Sequence, residues 1–149
     1  MSEPLYTYET SELERYLADN VAGFSTLDSI EKFSDGQSNP TYKLKSGTKK
    51  FVLRAKPPGK LLKSAHQVDR EYRVMKALRN SDVAVPEMLH LSAEESPLGP
   101  MFFVMGYVEG RVLWDPALPD MTPDQRGQIF SRMCTTLAAL HSVDPDAVG

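Results

Sequence analysis

The sequence predicts an α+β fold in which five strands make one antiparallel sheet with a helix packed against a face. Three observations carry that expectation. Apolar periodicities of 3.6 and of two residues follow one another as helix, three strands, helix, two strands, helix. Two of the early strands are joined through Ser46-Gly47-Thr48, a hairpin signal. Strands and helices do not alternate as βαβ, and no Gly-x-x-x-x-Gly-Lys-Ser/Thr loop occurs, so doubly wound and P-loop folds are not expected. With 149 residues, 41% hydrophobic and 25% charged, the chain has the balance of a globular protein with a sizeable core.

The elements follow in order. Ser11-Glu12-Leu13-Glu14 reads as a capping box ahead of the stripe Leu13, Tyr16, Leu17 and Val21, a helix ending near Gly23. Ser29 to Phe33 reads as a short strand. Thr41 to Lys45 and Lys49 to Ala55 alternate as the two arms of the hairpin. Pro57-Pro58-Gly59 stops the second arm, and Ser64-Ala65-His66-Gln67 caps a helix over about Ala65 to Arg79. Val85 to Leu91 and Met101 to Val108 are apolar strands separated by the turn-forming Ser96-Pro97-Leu98-Gly99-Pro100. Thr122-Pro123-Asp124-Gln125 places an N-cap, a first-position proline and a third-position glutamine ahead of Ile129, Phe130, Met133, Leu137 and Leu140, a helix reaching about His141. This divides the chain into an N-terminal helical segment (1–28), a sheet lobe (29–110) and a linker with a final helix (111–149).

Composition removes several functions. No apolar run approaches the ~18 residues of a membrane span, and Met1-Ser2-Glu3-Pro4 lacks the basic start and apolar stretch of a signal peptide. Cys134 is the sole cysteine, and His66, His90 and His141 are far apart, so neither a disulfide framework nor a structural metal is expected. A cytoplasmic protein that contacts no membrane is the expectation. The net charge of -3 is a cancellation. Lys43 to Arg79 carries twelve Lys/Arg against Asp69 and Glu71, whereas the remainder carries five basic and eighteen acidic residues.

Four segments could carry chemistry. Ser34 to Pro40 is a glycine-containing turn whose backbone N–H groups either close a plain hairpin or approach an anion. In Phe51-Val52-Leu53-Arg54-Ala55, Val52 and Arg54 share one strand face with Lys56, and a cation there is either solvated or met by a negative group. Glu71 lies on the inward stripe of Val68, Tyr72, Met75 and Leu78 and needs a cationic partner, with Arg54 the first candidate. The pair is structural or functional on this reading alone. Phe102 to Gly110 is an apolar strand ending in a glycine-bounded turn, either core or an edge offering backbone groups to a flat ring.

Together these residues resemble the N-terminal lobe of the aminoglycoside phosphotransferase family, relatives of protein and choline kinases. The resemblance runs from about Phe33 to Asp144. It rests on Gly36-Gln37-Ser38-Asn39-Pro40-Thr41-Tyr42, Phe51-Val52-Leu53-Arg54, Arg70-Glu71-Tyr72-Arg73-Val74, Val83-Ala84-Val85-Pro86, Val104 to Gly110 and Leu140-His141. The run Leu53-Arg54-Ala55-Lys56-Pro57-Pro58-Gly59 through His66 is similar to the branch linked with acyl-CoA dehydrogenases.

The resemblance implies a protein-kinase-like lobe binding ATP with Mg²⁺, and γ-phosphoryl transfer to the hydroxyl of a small molecule in the intact enzyme. It implies that Gly36, Gln37, Ser38 and Asn39 cover the phosphates. The resemblance further implies that Arg54 contacts them with Glu71 as its partner, that Val52 lines the adenine pocket with Met105 at its back, and that the backbone of Gly106, Tyr107 and Val108 hydrogen-bonds the ring. Arg54 stands where the family usually has lysine, a planar fork for a point charge, and Lys56 shares its face as a substitute. The family's His-Gly-Asp-x-x-x-x-Asn-like loop and metal-binding Asp are not among these 149 residues, so no catalytic residue is assigned, and the chain alone is expected to be inactive. The alternative is a non-catalytic module binding an anion or nucleic acid through residues 43–79. Phe51 and Tyr72 are the only Phe, Trp or Tyr residues there, a poor stacking platform. The apolar stripe of the 122–141 helix predicts self-association.

Overall fold

The structure, a computed structural model, describes residues 9–33, 39–57, 67–92 and 98–148. Along them run α1 (Thr10–Asn20), β1 (Ser29–Lys32), β2 (Thr41–Ser46), β3 (Lys49–Ala55), α2 (Val68–Ala77), a 3-10 turn (Leu78–Asn80), β4 (Met88–Leu91), β5 (Phe102–Gly106), α3 (Pro123–His141) and α4 (Pro145–Val148). From α1 to α3 the order of helices and strands is the one the periodicities predict; the 3-10 turn and α4 are additional. The described residues gather into two compact units, one from 1–76 and 86–107, the other from 77–85 and 108–149.

In the first unit the five strands form one antiparallel sheet in the order β1-β2-β3-β5-β4. Gly47 takes φ 59° at the first of two turn positions, where a II′-type hairpin turn calls for glycine. Its N–H donates to Asp28 Oδ2 at 2.7 Å, which ties the turn to the segment entering β1. The turn sets the register from Ser46 opposite Lys49 to Thr41 opposite Arg54.

Alternation then sorts the side chains. Phe51, Leu53 and Ala55 of β3 join Tyr42, Leu44, Phe102 and Val104 in one buried cluster, and α1 seats Leu13 and Leu17 on it. Burying one such leucine is worth roughly 1.5–3 kcal/mol, so α1 is part of the core of this unit. On the opposite face Val68 and Tyr72 of α2 cluster with Phe103, flanked by Met75, Met88 and Met105. The sheet therefore lies between two helices, one more than the sequence predicts against it.

Local signals fared differently at the helix ends. The Ser11 capping box does not form. Helix α1 starts at Thr10 with Glu9 at the cap and no side-chain cap bond. Glu14 instead accepts the Leu27 N–H at 2.7 Å, because a half-buried amide in the returning chain has more to gain from a carboxylate than an exposed first turn does. The same returning chain is held by Ser46, whose hydroxyl accepts from the N–H groups of Ser25 and Thr26. Strand β4 begins at Met88 rather than Val85. Pro86 has no N–H to contribute to a ladder, and an irregularity between Met88 and His90 shortens the pairing further. Strand β5 ends at Gly106, and α2 gives way to the 3-10 turn at Leu78. Ser64, Ala65 and His66 of the second predicted capping box lie outside the described residues.

In the second unit α3 carries the predicted box complete. Gln125 N–H donates to Thr122 Oγ1 at 3.2 Å, and Thr122 N–H donates to Gln125 Oε1 at 2.9 Å. Pro123 occupies the first helical turn. Phe130, Met133, Leu137 and Leu140 of α3 are exposed by 43–60%. With Val83, Ile129 and Cys134 they line an open apolar groove of about 710 Å³. Among the described residues no helix is long and apolar enough to cross a membrane.

Candidate functional site

The face of the sheet that carries α2 presents its side chains in rows set by the register. Arg54 of β3 lies between Thr41 of β2 and Phe103 of β5. Two residues along, Val52 lies between Lys43 and Met105. Beyond that, Tyr107 donates its N–H to Lys50 O at 3.3 Å, extending the same ladder. Successive rows on one face are about 7 Å apart. The face thus runs from a guanidinium, through the apolar pair Val52 and Met105, to a tyrosine ring with Lys43 Nζ at 5.6 Å and Lys50 Nζ at 5.5 Å from its centroid.

Helix α2 brings a carboxylate to the first row. Glu71 sits one turn after Val68 and four residues before Met75, both packed on the sheet, so its carboxylate is carried to the same side. Arg54 Nε donates to Glu71 Oε2 at 2.7 Å and Nη2 donates to Oε1 at 3.5 Å. This is the bidentate arrangement that distinguishes arginine from lysine. The two side chains are 28% and 37% exposed, so neither charge is fully removed from water.

Two further residues close the arrangement. Arg54 Nη1 donates to Thr41 Oγ1 at 2.9 Å. Thr41 Oγ1 in turn donates to the backbone oxygen of Asn39 at 3.0 Å. Asn39 Nδ2 donates to Glu71 Oε1 at 3.0 Å. The result is a ring, Glu71 to Arg54 to Thr41 to Asn39 and back to Glu71. Asn39 is 3% exposed and anchors it.

Among the predicted residues, the structure brings Arg54, Glu71 and Asn39 into direct contact and sets Val52 and Met105 opposite each other on the same face. Lys56 lies on the strand continuation beyond Arg54, its N–H on Met101 O at 2.9 Å; the partner that Glu71 holds is Arg54. Asn39, expected over the phosphates, turns its amide to Glu71. Gly106 donates its N–H to Glu87 O at 2.8 Å, and Tyr107 uses its own on Lys50, so both N–H groups serve the sheet. Val108 is 67% exposed and belongs to the second unit. Gly36, Gln37 and Ser38 lie outside the described residues.

Thr41 was missed by the sequence reading. Its signal was available, because pairing counted back symmetrically from a two-residue turn at Gly47-Thr48 sets it opposite Arg54. Among the described residues no group of three His, Cys, Asp or Glu side chains could hold a metal ion.

Known proteins share this chain's pattern. The family model of the phosphotransferase enzyme family matches residues 29–149. The chain is 43% identical over 152 residues to a protein of Arabidopsis thaliana named "Probable acyl-CoA dehydrogenase IBR3", covering 97% of this chain and 18% of that one. It is 38% identical over 150 residues to acyl-CoA dehydrogenase family member 11 of Rattus norvegicus, covering 98% of this chain and 19% of that one. A crystal structure from Ralstonia eutropha JMP134, titled "putative aminoglycoside phosphotransferase", superposes with a TM-score of 0.79 at 42% identity. That superposition covers 94% of this chain and 40% of the other. The chain therefore spans about a fifth of the length of these curated relatives.

Proposed function

Since the chain belongs to the phosphotransferase enzyme family, we propose that it is the nucleotide-binding lobe of a small-molecule kinase that moves the γ-phosphoryl of ATP to a substrate hydroxyl. The observation that carries this reading is the Arg54–Glu71 fork at 2.7 Å on a sheet face shared with Val52 and Met105. A guanidinium held by a carboxylate, but still partly exposed, supports contact with phosphate oxygens. Val52 and Met105 offer the apolar surface for a base.

Phosphoryl transfer is mostly positioning and electrostatic stabilisation. In this reading the chain supplies the nucleotide side. Arg54 orients the polyphosphate and stabilises its negative charge through N–H···O contacts, and Glu71 holds the guanidinium in place. Lys43 and Lys50 lie on the same face beside the Tyr107 ring. Magnesium, when bound, would neutralise charge between the phosphates. By the family resemblance, its ligands and the base that accepts the hydroxyl proton belong to the His-Gly-Asp-type loop, a pattern that does not occur in these 149 residues.

Calorimetric titration with ATP and Mg²⁺ tests the reading. Wild-type protein is expected to bind, and Arg54→Ala is expected to bind at least about tenfold more weakly, the loss of a charge-assisted contact. Equal affinity in both would refute the role of Arg54. Oligonucleotide binding that falls steeply with salt and ignores ATP would instead favour an anion-binding module built on residues 43–79.

A further inference from the structure

Arginine has five N–H donors in one plane. Here Nε and Nη2 each direct one to Glu71, and Nη1 directs one to Thr41. Two remain, one on each terminal nitrogen, with no partner among the described residues. Whether those two can serve a ligand depends on what fixes the plane. A single carboxylate leaves the guanidinium able to swing about the fork, and the longer of its two contacts is 3.5 Å. The bond to Thr41 adds a third point that does not lie on Glu71. Three points determine a plane.

We infer that Thr41 and Asn39 are positioning residues that lock the guanidinium of Arg54 so that its two remaining N–H groups face a pair of phosphate oxygens. This rests on the nucleotide reading above and adds to it the reason for arginine at position 54. Thr41 stands directly across from Arg54 in the β2–β3 register, within reach without a bend of either strand. Its hydroxyl donates a hydrogen bond to Asn39 O and accepts one from the guanidinium, so its O–H points away from Arg54 and a lone pair faces it. Asn39, almost fully buried, holds the far oxygen of Glu71 and stops the carboxylate from rotating. A lysine ammonium is one point on a flexible stem. It could not reach Glu71 and Thr41 and still present two fixed donors to a ligand.

The test is titration of ATP and of adenosine into wild type, Thr41→Val, Thr41→Ser, Asn39→Asp and Arg54→Lys, with melting curves as the folding control. Valine keeps the β-branched shape of threonine and puts a methyl group where the hydroxyl was, so neither bond of that hydroxyl can form. Thr41→Val is expected to bind ATP about tenfold more weakly and adenosine as wild type does, with Thr41→Ser restoring ATP affinity. Asn39→Asp sets a second carboxylate beside Glu71 and is expected to weaken ATP binding in the same selective way. In the Arg54→Lys background, Thr41→Val is expected to have little further effect, because the bond it removes is already gone. If Thr41→Val binds ATP as well as wild type, or loses ATP and adenosine equally, the positioning role is overturned and the nucleotide reading survives. If wild type binds ATP no better than adenosine, or binds neither, the nucleotide reading fails and this inference fails with it. Should Thr41→Val not fold, the Asn39→Asp and Arg54→Lys pair decides the matter by the same two readouts.

Discussion

Replacing Glu71 by glutamine separates what its carboxylate does for the fold from what it does for the site. The carboxylate receives Arg54 Nε at 2.7 Å, Asn39 Nδ2 at 3.0 Å and Arg54 Nη2 at 3.5 Å. Glutamine keeps one oxygen and turns an NH₂ group toward the remaining donors, so at most part of the set persists. A hydrogen bond to a charged group is worth roughly 1.5–3 kcal/mol when buried. Both side chains are open to water, at 28% and 37% exposure, and water competes for most of that. The net loss of stability is therefore about 1 kcal/mol, near the upper end for a solvated ion pair. Urea unfolding followed by far-UV circular dichroism should show that modest shift in midpoint with an unchanged slope. Affinity for ATP should fall about tenfold while adenosine binding holds. A stability loss above roughly 3 kcal/mol would show a buried structural pair instead. Unchanged ATP affinity would show that the orientation of Arg54 does not matter.

Two further outcomes address the scaffold. Leu17→Ala removes a fully buried side chain from the cluster shared by α1 and the sheet and is expected to cost about 3 kcal/mol, with ATP affinity of the folded protein unchanged. A loss below about 1 kcal/mol in the same urea experiment would refute the seating of α1 in the core. His90, within 3.0 Å of the Tyr16 hydroxyl, has its pKa lowered from the usual 6.5 by burial. The unfolded chain then binds the proton more readily, so the neutral imidazole stabilises the fold above about pH 6.5 and that contribution is lost as pH falls through the folded value. His90→Gln should flatten this acid limb of the stability profile. The same slope in both proteins would refute it.

How much of this was legible in the sequence depends on whether each feature is decided locally. Face alternation in β3 needs no distant information, and it correctly put Phe51, Leu53 and Ala55 on one side and Val52 and Arg54 on the other. The inward placement of Glu71 follows from helical spacing alone. The two capping boxes at Ser11 and Thr122 show the limit. Their local signatures are alike, yet only Thr122 closes its box. At Ser11 the glutamate is claimed by Leu27, thirteen residues further along the chain from Glu14, and no local pattern records that competition. Helix α1 was likewise read as an amphipathic segment. That its stripe covers the sheet is a tertiary fact, carried by Leu13 and Leu17 against Leu53 and Val104.

The basic stretch from Lys43 to Arg79 divides along the same line. Summed over sequence it is one positive block, which is why an anion-binding module stood as the alternative. The fold breaks it up. Lys43 lies 3.6 Å from Glu31 across the β1–β2 pair, and Arg73 bonds Asp69 one helical turn away. These are surface contacts of small energetic weight, yet they lower the field that a polyanion would meet at those points. Lys43 and Lys50 flank Tyr107, and Arg54 is turned by Glu71 and Thr41 along one face of the sheet. A nucleic acid is bound by many loosely interchangeable cations, and its affinity falls with salt in proportion to their number. A nucleotide needs few cations, each with a fixed direction. The ring of four residues that fixes Arg54 is therefore a feature that a polyanion surface would not need and a phosphate contact would. A weak salt dependence of ATP binding, with a large effect of Thr41→Val, would be the signature of the second kind of site.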